Sequence, residues 1–174
     1  FECEFLGSAG RLVHPTKLRN FAHVMPKSKW DEVDVYENAI EGHTYAMSVD
    51  VSRGVGLDYS AFIVIDITQM PYKLVCKFRS KDISPLVYPT IIYNTAKHYN
   101  EAFVLVEVND IGQQVADILH QDLEYENMLA TTVKGRAGQQ ISGGFSGGSS
   151  MGIRTTKQVK RIGCSNLKDL IEQD

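Results

Sequence analysis

Tyr45–Asp66, YAMSVDVSRGVGLDYSAFIVID, is the stretch that sets the architecture. Its two apolar runs, Tyr45–Val51 and Ala61–Ile67, read as strands. The polar segment between them, SRGVGLD, holds two glycines and marks a hairpin. A third run, Lys73–Phe78 (KLVCKF), follows a short turn around Pro71, so the three strands form an antiparallel meander. Asp50 stands at the end of the first run and Asp58 opens the second. Asp is disfavoured in strands and is seldom buried without a partner, so Asp50 needs something opposite it.

Downstream the period changes. Ser84 followed by Pro85 predicts a helix start, with Pro89 early enough to be tolerated and the helix running to about Tyr99. Ala102–Val108 (AFVLVEV) is a continuous apolar run, which suits a central strand buried on both faces. A second helix is expected in NDIGQQVADILHQDL, with Val115, Ile118, Leu119 and Leu123 as its apolar stripe. Met128–Val133 is a further short strand. Lys134–Gly152 is rich in Gly and Ser and reads as a loop, and CSNLKDLIEQD reads as a helix capped by Ser165 or Asn166. The order β-β-β-α-β-α-β gives an α/β fold with a mixed sheet, an antiparallel meander and flanking helices. Residues 1–43 have no long periodic segment and are expected to be a linker or N-terminal extension packed on the domain, which spans 44–174. The chain opens at Phe1 inside a pattern and is expected to be a piece of a longer protein.

Several classes of function are disfavoured. A net charge of −3 shows no global basic signature, although one face can still be basic. Cys3, Cys76 and Cys164 are widely separated, so neither a zinc site nor a disulfide framework is expected. The five histidines have no ligand spacing. GGFSGGSSMG has no Lys-Ser/Thr after its glycines, which excludes a P-loop there. No apolar run is long enough to span a membrane, and no signal peptide is visible.

A second acid, Glu107, interrupts the most apolar strand in VLVEVND. If its strand neighbours that of Asp50, the two carboxylates lie side by side. Like charges about 4 Å apart repel by roughly 4 kcal/mol at an effective dielectric near 20. Either one carboxylate takes up a proton or a divalent cation sits between them. Mg²⁺ prefers carboxylate oxygen, and such a site can activate water and clamp a phosphate. Asp58 fits either a turn or support of that site. Arg154, Lys157, Lys160 and Arg161, with Lys134 and Arg136 before the Gly-rich segment, are the candidate contacts to a polyanion.

These words together carry a resemblance. FECEFLGSAG, YAMSVDVSRGVGLDYSAFIVID, VLVEVNDIGQQVADIL and GIRTTKQVKRIGCSNLKDLIE resemble the C-terminal nuclease domain of the large terminase subunit of T-even-like tailed bacteriophages. That domain is of the ribonuclease-H-like (RuvC/integrase-like) fold. The resemblance implies a metal-dependent endonuclease that cuts concatemeric double-stranded DNA with little sequence preference during viral genome packaging. It implies Asp50 and Glu107 as catalytic acids and metal ligands, Asp58 as a further acid of the metal site, and Mg²⁺ or Mn²⁺ as the cofactor. The implied partners are double-stranded DNA, the portal protein, the small terminase subunit and the ATPase domain of the same polypeptide. The implied place is the host cytoplasm at the prohead portal. A third acid is expected beyond residue 174. The alternatives are a non-catalytic DNA- or portal-docking module, or a resolvase-type nuclease of the same fold.

Overall fold

The computed structural model describes residues 12–56, 58–133, 139–143 and 149–172. In chain order the elements are α1 (Pro15–Asn20), β1 (Ser28–Trp30), β2 (Val33–Val35), β3 (Tyr45–Asp50), β4 (Ser60–Asp66), β5 (Lys73–Ser80) and α2 (Tyr88–His98). They continue with β6 (Phe103–Val106), α3 (Gly112–Asp117), a π-helical turn (Ile118–Asp122), β7 (Leu129–Val133), β8 (Gln139–Gly143), β9 (Ser149–Met151) and α4 (Lys157–Glu172). They fall into two compact units, Met25–Thr155 and a smaller one made of 1–24 with 156–174.

The larger unit is built on a six-stranded sheet in the order β1-β2-β5-β4-β3-β6. The meander is present as expected: β3 pairs antiparallel with β4, and β4 with β5. β6 then lies parallel to β3, from Ala46 opposite Phe103 to Val49 opposite Val106. A parallel neighbour requires a crossover, and α2 supplies it. The short strands β1 and β2 extend the sheet beyond β5. They come from the KWDEVDV region, where sequence pattern alone gives only irregular or short extended structure.

One face of the sheet carries the core. Tyr45, Met47 and Val49 on β3, Phe62 and Val64 on β4, and Val104 and Val106 on β6 are all buried. Tyr88, Ile92, Ala96 and Tyr99 from α2 and its end, with Val115, Ala116 and Leu119 from α3 and the following turn, complete it. Phe62, Phe78 and Tyr88 stack on one another, with centroids 5.2–6.2 Å apart. Alternation along the strands sends Ser48 and Asp50 to the opposite face, where both are exposed. β6 is therefore buried chiefly on one side, not on both: Phe103 is exposed and Leu105 and Glu107 are half-buried.

Three local expectations are corrected. α2 begins at Tyr88, not at Ser84–Pro85. Pro89 has no N–H to give to the carbonyl of residue 85, so a helix starting there could not pass it, and Pro89 sits instead in the first turn. Ser84 closes the preceding turn, its carbonyl accepting from the N–H groups of Val87 and Tyr88 at 2.9 Å each. The Gly/Ser-rich segment is not all loop, because β8 and β9 flank β7 in a second, three-stranded sheet. There β7 supplies the pairing that local composition does not announce.

The smaller unit contains α1 and α4. α4 starts at Lys157, well before Ser165 and Asn166, which lie in its interior. Thr156 caps it: its hydroxyl accepts from the Val159 N–H at 3.2 Å, and its carbonyl accepts from Lys160 at 2.9 Å.

Candidate active site

Asp50 is the last residue of β3, and Glu107 follows the last residue of β6. The parallel register Val49 opposite Val106 puts Asp50 and Glu107 next to each other on one face, and the Glu107 N–H donates to the Val49 carbonyl at 2.8 Å. Although the residue is exposed overall, partial desolvation at the strand end raises the Asp50 carboxyl above its ordinary value. The Glu107 charge and a hydrogen bond between the two side chains add to the rise, the Val51 backbone opposes it, and the Asp58 charge contributes last. The register thus brings the two acids together at adjacent strand ends.

Both strand ends are held in place. Asn109 Nδ2 donates to Glu107 Oε1 at 2.8 Å and to the Thr155 carbonyl at 3.2 Å, which fixes one carboxylate oxygen. Ile153 bridges to Glu107 on the far side of β6, so the strand end is flanked on both edges. Gly112 at the start of α3 packs on the Glu107 carbonyl; an added Cβ would lie 1.9 Å from that oxygen. Arg53 and Asp110, each three residues beyond one of the acids, form a two-bond ion pair at 2.8 and 2.9 Å. That contact lowers the Asp110 carboxyl below its ordinary value.

The turn after Asp50 is also anchored. Gly54 has φ 67°, and a Cβ there would meet the Ile83 carbonyl at 2.3 Å, so this position accepts only glycine. The Gly56 N–H donates to the Lys81 carbonyl at 3.3 Å, tying the turn to the end of β5. Asp58 Oδ1 accepts from the Tyr59 N–H at 2.8 Å, a turn role. Its effect on Asp50 is through its field, and among the described residues no group of three or more His, Cys, Asp or Glu side chains is placed to hold a metal ion. The donor set that fits a divalent cation is thus the Asp50–Glu107 pair: two hard oxygen donors whose mutual repulsion a cation removes.

The basic candidates divide. Arg154 follows directly on Ile153, the residue that pairs with Glu107. Lys157, Lys160 and Arg161 belong to α4 in the other unit, at i, i+3 and i+4, where they share one exposed face. Lys134 and Arg136 lie outside the described residues. By pattern alone Arg53 reads as a turn residue or a DNA contact and Asp110 as a turn or cap residue, while Asn109 carries no signal of its own. Their trace as a group is the shared spacing of DVSR and EVND, which has meaning once the two strands are known to be neighbours.

Residues 47–174 match the family model described as a terminase RNaseH-like domain. The chain is also similar to solved structures of large terminase nucleases from thermophilic phage G20c. With the form bound to magnesium it shares 17% identity at a TM-score of 0.62, covering 86% of this chain and 65% of that one. With the zinc-bound form it shares 19% identity at a TM-score of 0.59, covering 86% and 71%. The large terminase nuclease domain of Thermus phage P74-26 gives 16% identity and a TM-score of 0.59, over 86% of this chain and 63% of that one. At these identities the likeness shows a common fold, ribonuclease-H-like, and the chain spans about two thirds of the length of the structures it matches.

Proposed function

The chain belongs to the terminase RNaseH-like domain family, and from that premise we propose that it is a metal-dependent endonuclease that hydrolyses phosphodiester bonds of double-stranded DNA. The observation that carries the proposal is the placement of Asp50 and Glu107 at the adjoining ends of adjacent parallel strands. Asp50 and Glu107 are the metal ligands in this reading, and Asp58 supports them from the turn. A bound Mg²⁺ or Mn²⁺ supplies Lewis acidity: it lowers the pKa of water and offsets charge on the phosphoryl oxygens.

The protein's own residues supply placement. β3 and β6 fix the carboxylates to rigid strand ends. Asn109 restrains Glu107 Oε1 and is itself anchored on the Thr155 carbonyl. Arg53 and Asp110 join the two turns that follow the acids.

Arg154 and the exposed α4 face of Lys157, Lys160 and Arg161 are the proposed phosphate contacts, with Lys134 and Arg136 before β8. Contacts of this kind carry little sequence information, so cutting is expected at nearly any sequence. Among the described residues no helix is long and apolar enough to cross a membrane. The proposed setting is viral genome packaging in the host cytoplasm at the portal. There the ATPase domain of the same polypeptide, the portal protein and the small terminase subunit are the partners.

The test is nicking of supercoiled plasmid with Mg²⁺, Mn²⁺ or chelator. The wild-type chain should nick only with metal. Anomalous diffraction from Mn²⁺-soaked crystals should place density between Asp50 and Glu107. Metal-independent nicking, or density elsewhere, would overturn the assignment.

A further inference from the structure

The register that pairs the two acids continues across the sheet. Asp50 lies opposite Ala61 on β4, and Ala61 lies opposite Arg79 on β5. Residues directly opposite in neighbouring strands share a face. Glu107, Asp50, Ala61 and Arg79 therefore form one row, with the small Ala61 as a low point between Asp50 and Arg79. Two strand spacings, about 10 Å, separate β3 from β5.

At the far end of this row two cations gather on one ring. The Arg79 guanidinium lies 3.5 Å from the centroid of the Tyr59 ring, and the Lys81 ammonium lies 4.8 Å from the same centroid. Arg79 and Lys81 are both exposed. Neither makes an ion pair among the described residues, although Lys77, on the same strand and face as Arg79, is paired with Asp34 at 3.6 Å. Two like charges held on one ring without a carboxylate repel each other, and an anion between them relieves that repulsion. The ring attracts both cations through its negative face and fixes their direction.

The placement is built rather than incidental. Tyr59 directly follows Asp58, at the end of the turn that begins beyond Asp50. The Gly54 approach to Ile83 and the Gly56 bond to the Lys81 carbonyl dock that turn on the end of β5. The same loop geometry thus positions the acid end of the row and its basic end.

We propose that Arg79 and Lys81, ordered by Tyr59, form a phosphate clamp that holds the DNA strand on the side of Asp50 away from Glu107. The clamp rests on the reading of Asp50 and Glu107 as the cutting site. One strand of duplex DNA advances 3.4 Å along the axis per nucleotide, so a clamp about 10 Å away engages phosphates within about three nucleotides of the cut. Arg79 and Lys81 are binding and positioning groups; they do not reach the scissile phosphorus.

The test measures binding and cutting separately. A fluorescein-labelled duplex of random sequence is titrated by anisotropy in Ca²⁺ at several salt concentrations, using the whole chain and its Arg79→Ala/Lys81→Ala, Tyr59→Leu, Arg79→Lys and Lys77→Ala variants. Loss of two phosphate contacts should flatten the log–log salt dependence by about 1.8 in the double variant. Tyr59→Leu should weaken binding without changing net charge, and Arg79→Lys should restore part of it. Lys77→Ala should behave as wild type. In plasmid nicking, the double variant should raise KM more than it lowers kcat. A double variant that melts normally and keeps the wild-type salt slope overturns the clamp, even if the wild type cuts and Asp50→Asn does not. A flattened slope in a chain that never cuts would support the clamp and sink the nuclease reading instead.

Discussion

Arg53 and Asp110 face each other across the two strand ends that carry the acids, joined by parallel hydrogen bonds of 2.8 and 2.9 Å. Both side chains are well over half exposed. Exposed ion pairs contribute little to folding, so this one is better understood as a fastening between two turns than as a source of stability. It links the position of one carboxylate to that of the other.

Breaking that fastening should therefore affect rate more than stability. Arg53→Ala and Asp110→Ala should each lower Mg²⁺-dependent nicking by about tenfold, the low end for groups that orient metal ligands. Their melting temperatures should stay at the wild-type value. The double variant should be no slower than either single one, since both remove the same contact. Additive losses would show that the two residues act separately.

Removing a carboxylate should have opposite effects on activity and on the ion-free protein. Asp50→Asn and Glu107→Gln should each reduce nicking by at least about a hundredfold, more than loss of an outer contact. In chelator, Asp50→Asn should melt at or above the wild-type temperature, because it removes one of two adjacent like charges. A marked drop in melting temperature would mean that Asp50 is a structural partner of some other group.

Gly112→Ala addresses the backbone under Glu107. The new methyl would lie 1.9 Å from the Glu107 carbonyl, which is main chain and cannot swing away. The end of β6 must shift, at a cost of about 1–3 kcal/mol, as for other overpacked sites. Urea unfolding should report that loss, and nicking should fall further than stability alone accounts for. Unchanged activity would mean that the exact position of Glu107 is unimportant.

A pH effect is expected at the other end of β4. Asp66 is nearly buried, and its Oδ2 lies 2.7 Å from His43 Nδ1. Burial raises its carboxyl, but hydrogen bonds from Thr68 and His43 outweigh burial and leave it below the ordinary value. Between the folded and unfolded values the unfolded chain holds more protons, so stability rises with pH. The contribution is complete above the unfolded value, about 3.9, and is lost as pH falls through the folded one. Asp66→Asn should lower the urea midpoint at pH 7 and show a smaller further loss on acidification than wild type.

The meander was legible because β3, β4 and β5 have apolar runs broken by turn residues, and the acids were legible because they interrupt those runs. The Gly/Ser-rich segment hid β8 and β9, since their partner β7 rather than their own residues makes them strands. Thr156 was missed as a cap because the expected start lay at Ser165 or Asn166. Asn109, Arg53, Asp110, Tyr59 and Arg79 gain their roles only from strand neighbours distant in the chain.

β3 and β6 become neighbours only after two hairpin strands and α2 have been laid down between them. Until that crossover closes, Asp50 and Glu107 belong to unconnected parts of the chain and cannot stand side by side. A partly folded chain therefore lacks the paired acids, and the proposed cleavage requires β6 to have docked against β3.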